Sequence, residues 1–193
     1  MPSPDPKSEL RRRLLAARRT AAQARPDGAV KLVHHWPADL LVVNRVIAAY
    51  RPLPGEMDPG PLMRMLVAAG ARLALPVMPE GEGGLSFHAY ADGDSLERRR
   101  FGVEEPLREA AEVRPDIVLV PLVGADLAGN RLGFGKGYYD RTLQALRRTG
   151  AVLAIGLAYA EQVLETLPAE PHDERLDAVL TDVEFLGISS QPD

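Results

Sequence analysis

The chain alternates between two hydrophobic periods. From Lys7 to about Ala24 the apolar positions Leu10, Leu14, Leu15 and Ala22 fall near one stripe at helical spacing and alanine is abundant, which predicts a helix. Pro26-Asp27-Gly28 breaks it, and a second helix is expected over Ala29–Trp36, ended by Pro37. Asn44–Tyr50 (NRVIAAY) reads as a strand, with RPLPGEMD as the loop at its carboxyl end. Pro59–Gly70 reads as a helix, with proline in its first turn and glycine at its stop. Arg72–Val77 is the next expected strand, Gly81–Gly84 a turn, and Leu85–Tyr90 alternates as a half-buried or edge strand does. Asp116–Pro121 (DIVLVP) is a short apolar, β-branched run closed by proline, the pattern of a strand buried on both faces of a parallel sheet. Ala151–Ala158 is another buried strand and Ala178–Thr181 the last one; a helix is expected between them and DIVLVP, from near Gly137 to about Arg148. Strand and helix alternation predicts a three-layer α/β/α fold, Rossmann-like, with a mostly parallel sheet and ligand contacts at the strand carboxyl ends.

The loop after DIVLVP carries the most distinctive chemistry. Arg131-Leu132-Gly133-Phe134-Gly135-Lys136-Gly137-Tyr138-Tyr139-Asp140-Arg141 sets three glycines at alternate positions with cations between and around them. Glycine permits positive φ and lets backbone N–H groups turn toward an anion, and the helix expected to follow aims its dipole at the same point. Neither standard phosphate fingerprint is present. A Walker A loop needs glycine where Asn130 stands and Ser or Thr where Gly137 stands, and a dinucleotide fingerprint starting at Gly133 needs glycine at Tyr138.

Composition narrows the classes. At 193 residues the chain suits a single domain over 1–193, with the proline-rich residues 1–6 as a disordered lead-in. The absence of cysteine excludes disulfides and thiolate metal sites and is compatible with a cytoplasmic location. The N-terminus lacks the apolar core of a secretory signal, and no apolar run approaches the ~20 residues of a membrane span. Residues 1–25 hold seven Lys or Arg against two acids, so a net charge of −4 conceals a basic start on an acidic remainder. Lys7, Arg11 and either Arg18 or Arg19 can share a helix face and present cations to polyphosphate. His34 and His35 are adjacent, so on a helix they diverge by about 100° and do not chelate one metal. His88 has no visible partner.

RLGFGKGYYDR, preceded by a strand ending Val120-Pro121-Leu122-Val123-Gly124 and by an Asp-x-x-Gly-Asn lead-in, resembles the signature of the 5-formyltetrahydrofolate cyclo-ligase (methenyltetrahydrofolate synthetase) family. Agreement with that family runs in order from Lys7 to Asp177. Lys7-Ser8-Glu9-Leu10-Arg11 matches its Lys-x-x-Leu-Arg, which assigns Lys7 and Arg11 to ATP phosphates. Tyr50 and Glu56 match its folate-gripping positions, where a carboxylate would accept from the amino-amide edge of the pterin ring. Phe101-Gly102-Val103-Glu104-Glu105-Pro106 matches its aromatic-Gly-Ile-x-Glu-Pro, making Phe101 a candidate for stacking on the folate. His172-Asp173 precedes the last strand, and the resemblance pairs Asp173 with Asp140 on Mg²⁺, which needs few protein ligands.

The implied reaction is ATP-driven closure of 5-formyltetrahydrofolate to 5,10-methenyltetrahydrofolate. The implied ATP site comprises Lys7, Arg11 and the run Arg131, Leu132, Gly133, Phe134, Gly135, Lys136, Gly137, Tyr138 and Tyr139. Lys136 and Arg131 are the catalytic candidates, and Tyr50, Glu56, Phe101, Gly135, Lys136, Gly137 and Tyr138 the folate candidates. A monomer without nucleic-acid or membrane partners is expected. Three rivals stay open at this level: a non-catalytic folate or nucleotide sensor, a sugar-phosphate isomerase on a related scaffold, and a nucleic-acid binder using Arg11–Arg19 and Arg98–Arg100. Acidic net charge and 5% aromatic content weigh against the last.

Overall fold

The computed structural model describes residues 6–188, apart from the side chains of Pro6 and Phe101. The lead-in expected over residues 1–6 therefore lies outside the described residues, except that the Pro6 backbone opens the first helix. The elements run α1 Pro6–Ala24, α2 Gly28–His35, β1 Val46–Ala48, α3 Gly60–Ala68, β2 Arg72–Val77, β3 Ser86–Tyr90, β4 Leu96–Arg98 and β5 Glu104–Pro106. They continue with β6 Ile117–Pro121, β7 Gly124–Asp126, β8 Arg131–Leu132, α4 Tyr138–Thr149, β9 Leu153–Ala158, β10 Val163–Leu164, β11 Ala178–Thr181 and β12 Phe185–Gly187.

Seven strands form the main sheet, in the order β12-β11-β9-β6-β1-β2-β3. The five inner strands are mutually parallel, and β3 and β12 close the two edges antiparallel. The sheet is therefore mostly parallel, as the buried runs imply. Alternation within β6 explains the layering. Ile117 and Leu119 point into one core with Leu32 of α2 and Leu62 and Leu66 of α3, while Val118 and Val120 point into the other with Leu143 of α4. All eight are buried, so the strand is apolar on both faces because both faces are covered by helices.

Several boundaries differ from the sequence reading. The first strand begins at Val46 because Asn44 takes a left-handed φ of 60°, turning the chain as its N–H meets the Gly70 carbonyl. Ala178–Thr181 is followed by another strand, since β12 returns antiparallel along β11. The basic run at 98–100 enters a hairpin in which Arg98 pairs with Glu104 and Leu96 with Pro106. A three-stranded sheet β10-β7-β8 carries the lead-in to the glycine loop. None of these short strands has enough residues to show a period.

Strand order reverses direction between β1 and β6, which are neighbours although β2 lies on the far side of β1 and β9 on the far side of β6. Crevices open at such switch points, at the carboxyl ends of the strands.

Candidate active site

A cleft of about 760 Å³ opens at this switch point, lined by Tyr50 just past β1 and Pro121 at the end of β6. It also gathers Lys7, Arg11, Glu56, Asp173 and every residue from Arg131 to Arg141. All the expected site residues whose side chains are described thus line one cavity. Phe101 sits by its backbone in a short 3₁₀ turn at the tip of the β4–β5 hairpin, and its side chain lies outside the described residues.

The glycine loop is held from behind by Asp126, which is 1% exposed. Its carboxylate accepts from the N–H groups of Ala128 (3.0 Å), Asn130 (2.9 Å) and Leu167 (2.8 Å) and from Asn130 Nδ2 (2.9 Å). The Asp-x-x-Gly-Asn lead-in is therefore a structural clasp for the loop's entry. At the loop's exit Gly135 and Gly137 adopt φ of 81° and 66°, a region open to glycine and costly for other residues. Gly137 caps α4, so that helix aims its first N–H groups into the cleft. Arg141 braces the loop by donating to the carbonyls of Gly83 (2.8 Å) and Lys136 (2.9 Å), and its guanidinium lies 5.4 Å from the Tyr138 ring centroid. Phe134, Gly135 and Lys136 are exposed at the loop's tip, whereas Leu132 is buried beneath it.

The cations are arranged around this loop. Arg11 Nε donates to the Gly133 carbonyl at 2.8 Å, tying α1 to the loop. Lys7 Nζ lies 2.7 Å from Glu170 and 3.3 Å from Asp173. Burial works against the Lys7 ammonium, but hydrogen bonds to Glu170 and Asp173 outweigh it, and its pKa rises. Arg131 bonds Asp140 Oδ1 at 2.7 Å and donates to the Glu174 carbonyl; the Glu174 N–H meets the same Oδ1 at 3.0 Å. Asp140 and Asp173 line the same cleft, and each is engaged with one of these cations, Arg131 and Lys7 respectively. Among the described residues the group whose ligand atoms lie within 4.8 Å of one another is Glu170, His172 and Asp173, and it does not include Asp140.

Of the folate candidates, Tyr50 and Glu56 lie deeper, both buried. The Tyr50 hydroxyl donates to the Met57 carbonyl at 2.6 Å, and burial, with the nearby Glu56 charge, pushes its pKa well above the usual value. Burial likewise raises Tyr139. Glu56 accepts from the Leu53 N–H at 2.8 Å and lies 3.5 Å from Arg18. Its burial raises the carboxyl pKa, against the Leu53 amide and Arg18, which lower it. Arg18 was expected, as one of two alternatives, on the cationic face. It is instead 4% exposed and lies 5.6 Å from the Phe134 ring centroid. The signal was its i+4 spacing from Leu14, which puts it on the apolar stripe. Arg12 and Arg13 are exposed, as a solvated face requires. His88 is held by the Ala110 carbonyl (2.7 Å) and Ser86 Oγ (3.2 Å), away from the cleft lining.

An amide-lined loop, a helix N-terminus and clustered cations at the carboxyl ends of a parallel sheet define an anion-handling α/β protein, with buried carboxylates and an apolar wall available to a second, uncharged group. The family model for the 5-formyltetrahydrofolate cyclo-ligase family matches residues 4–182. The 5-formyltetrahydrofolate cyclo-ligase of Mycolicibacterium smegmatis is 35% identical over 187 residues, covering 93% of this chain and 95% of the relative. That of Escherichia coli K12 is 37% identical over 146 residues, 73% and 80% of the two chains. The solution structure of Aquifex aeolicus 5,10-methenyltetrahydrofolate synthetase superposes with a TM-score of 0.77 at 31% identity, covering 97% of this chain and 95% of the other. The chain belongs to the 5-formyltetrahydrofolate cyclo-ligase family.

Proposed function

We infer that this protein closes 5-formyltetrahydrofolate to 5,10-methenyltetrahydrofolate, using ATP and Mg²⁺ and releasing ADP and phosphate. The observation that carries the reading is the convergence of the family's cation, glycine and carboxylate positions on one cleft in a chain that matches the family from residue 4 to 182.

A formamide is a poor electrophile and its oxygen a poor leaving group. Transfer of the γ-phosphoryl group of ATP to the formyl oxygen solves both problems. The side-arm nitrogen then attacks the activated carbon and loses its proton, and the oxygen departs with phosphate. Such chemistry rests on positioning and charge neutralisation rather than a strong base. Backbone N–H groups from Gly133 to Gly137, with Lys7 and Arg11, hold the phosphates. Lys136, at the exposed tip of the loop, stabilises charge on the transferring phosphoryl group, and Arg131 assists. Glu56 and the Tyr50 ring hold the folate, with Tyr138 beside them. Asp140 and Asp173 suit Mg²⁺ because they offer the oxygen donors this hard cation takes, and both Asp140 bonds noted above fall on Oδ1, leaving Oδ2 unused by them. The metal would draw charge off the phosphate oxygens. Lys7 and Arg131 neutralise the same two carboxylates and exchange those partners for phosphate when nucleotide enters.

Mixing the protein with 5-formyltetrahydrofolate, ATP and Mg²⁺ is expected to build the methenyl chromophore, followed by absorbance. Binding of folate without chromophore growth would favour a sensor and overturn the reading.

A further inference from the structure

One wall of the cleft has a different chemistry from the phosphate side. The ends of β2 and β3 and the β4–β5 hairpin contribute Pro76, Met78, Leu85 and Val103, and among them a single charged group, Glu105. Glu105 is 1% exposed; the Met78 amide faces its carboxylate, but no hydrogen bond of good geometry reaches either oxygen among the described residues. Its nearest cation is Arg99, whose Nε lies 3.8 Å away, beyond hydrogen-bond reach, and is itself buried without a hydrogen-bond partner. The neighbouring Glu104 is different: it is half-exposed and paired with Arg51 at 3.1 Å. Burial raises the Glu105 carboxyl pKa, although the Met78 amide and the Arg99 and Arg108 charges pull it down and Glu97 adds to the rise.

A buried carboxyl whose nearest cation stands at 3.8 Å, and whose oxygens no well-formed hydrogen bond reaches, is only partly compensated, and on an apolar cavity wall the rest of its hydrogen-bonding capacity is open to a ligand. Flat apolar surfaces interrupted by one acceptor fit the face and N–H edge of a nitrogen heterocycle. Two heterocycles enter this cleft if the proposed reaction is right, the pterin and the adenine. The wall bearing Glu105 adjoins Arg51, which follows Tyr50 on the folate side, whereas the phosphate-holding cations come from α1 and the glycine loop. Glu56, the other folate carboxylate, already accepts from Leu53 and faces Arg18.

The geometry points to Glu105 as a second substrate-recognition residue, accepting hydrogen bonds from ring N–H donors of the reduced pterin. This rests on the proposed cyclo-ligase reaction. Glu105 binds the ring and takes no part in phosphoryl transfer. A carboxyl buried on the cavity wall without a close hydrogen bond is held for binding at the expense of the fold.

The test uses Glu105→Gln and Glu105→Leu, with KM for 5-formyltetrahydrofolate, KM for ATP, kcat and the urea midpoint measured for each. Recognition of the pterin predicts a KM for 5-formyltetrahydrofolate raised about tenfold to a hundredfold, the worth of a hydrogen bond to a charged group. It also predicts KM for ATP and kcat within about threefold of wild type, and a urea midpoint equal to or above wild type. A merely structural Glu105 would leave the folate KM unchanged, and that result overturns the assignment. A rise confined to KM for ATP overturns it in favour of adenine. Loss of stability with unchanged folate KM in the folded fraction also overturns it. Absence of turnover by wild type overturns the cyclo-ligase reading and this assignment together, whereas wild-type turnover with unaltered variant KM removes Glu105 alone.

Discussion

Arg18→Met should be among the more damaging single changes in the protein, for a reason unrelated to catalysis. The Arg18 and Glu56 side chains are each 5% exposed, and their charges face one another at 3.5 Å beneath the glycine loop. Removing the guanidinium leaves Glu56 buried with the Leu53 amide as its named partner. Breaking a buried pair from one side costs about 3–5 kcal/mol. With a urea slope of about 2 kcal/mol per molar for a chain of this size, the midpoint should fall by about 1.5–2.5 M. The loss should also depend on pH. Burial already raises the Glu56 carboxyl pKa, and removal of Arg18 raises it further, because Arg18 is one of the groups lowering it. A carboxyl whose folded pKa exceeds its unfolded value destabilises the fold increasingly as pH rises through the interval between the two. The deficit should therefore be fullest at neutral pH and shrink toward the ordinary carboxylate range. Replacing both partners, Arg18→Met with Glu56→Leu, should recover most of the stability while abolishing folate binding. Urea titrations of the wild type, the single variant and the double variant at neutral pH and near pH 5 decide the matter. A single variant within about 0.3 M of wild type, or a deficit that grows on acidification, would refute the reasoning.

Lys136→Ala should lower kcat by about 10²–10³-fold with little change in folate KM, since the residue is assigned to charge that develops during transfer; wild-type kcat in the chromophore assay would remove the assignment. Asp126→Ala strips the acceptor from four donors at a buried site and should cost about 3 kcal/mol or more, read as a urea midpoint shift. Gly137→Ala forces a side chain to φ 66°, and the added Cβ would lie 2.7 Å from Arg141 Nη1. It should destabilise by about 1–2 kcal/mol and raise KM for ATP more than KM for folate; equal effects on both would show that the loop does not face phosphate preferentially.

What the chain alone determined is what depends on local period and on rare residue strings. Buried strands such as Ile117–Pro121 and Leu153–Ala158 are legible because a strand covered on both faces must be apolar at every position. The glycine loop is legible because positive φ at Gly135 and Gly137 demands glycine, and the alternation with cations is uncommon. Lys7 and Arg11 were legible as cations sharing one helix face, but that they and Asp173 meet the glycine loop was reachable only through resemblance, since no local rule joins residues that far apart. The hairpin of β4 and β5 and the strands β7, β8 and β10 were illegible because two or three residues carry no period. Only the tertiary structure decided which charges are neutralised by which. Arg18 and Arg12 sit on one helix with the same side chain, yet one is buried against Glu56 and the other is exposed beside Glu9. Glu104 and Glu105 are adjacent and chemically identical, yet pleating sends one to Arg51 and the other into the cleft wall without a well-formed hydrogen bond. The identity of a charged residue is written in the chain, but its energy is set by the dielectric and the partners that packing supplies.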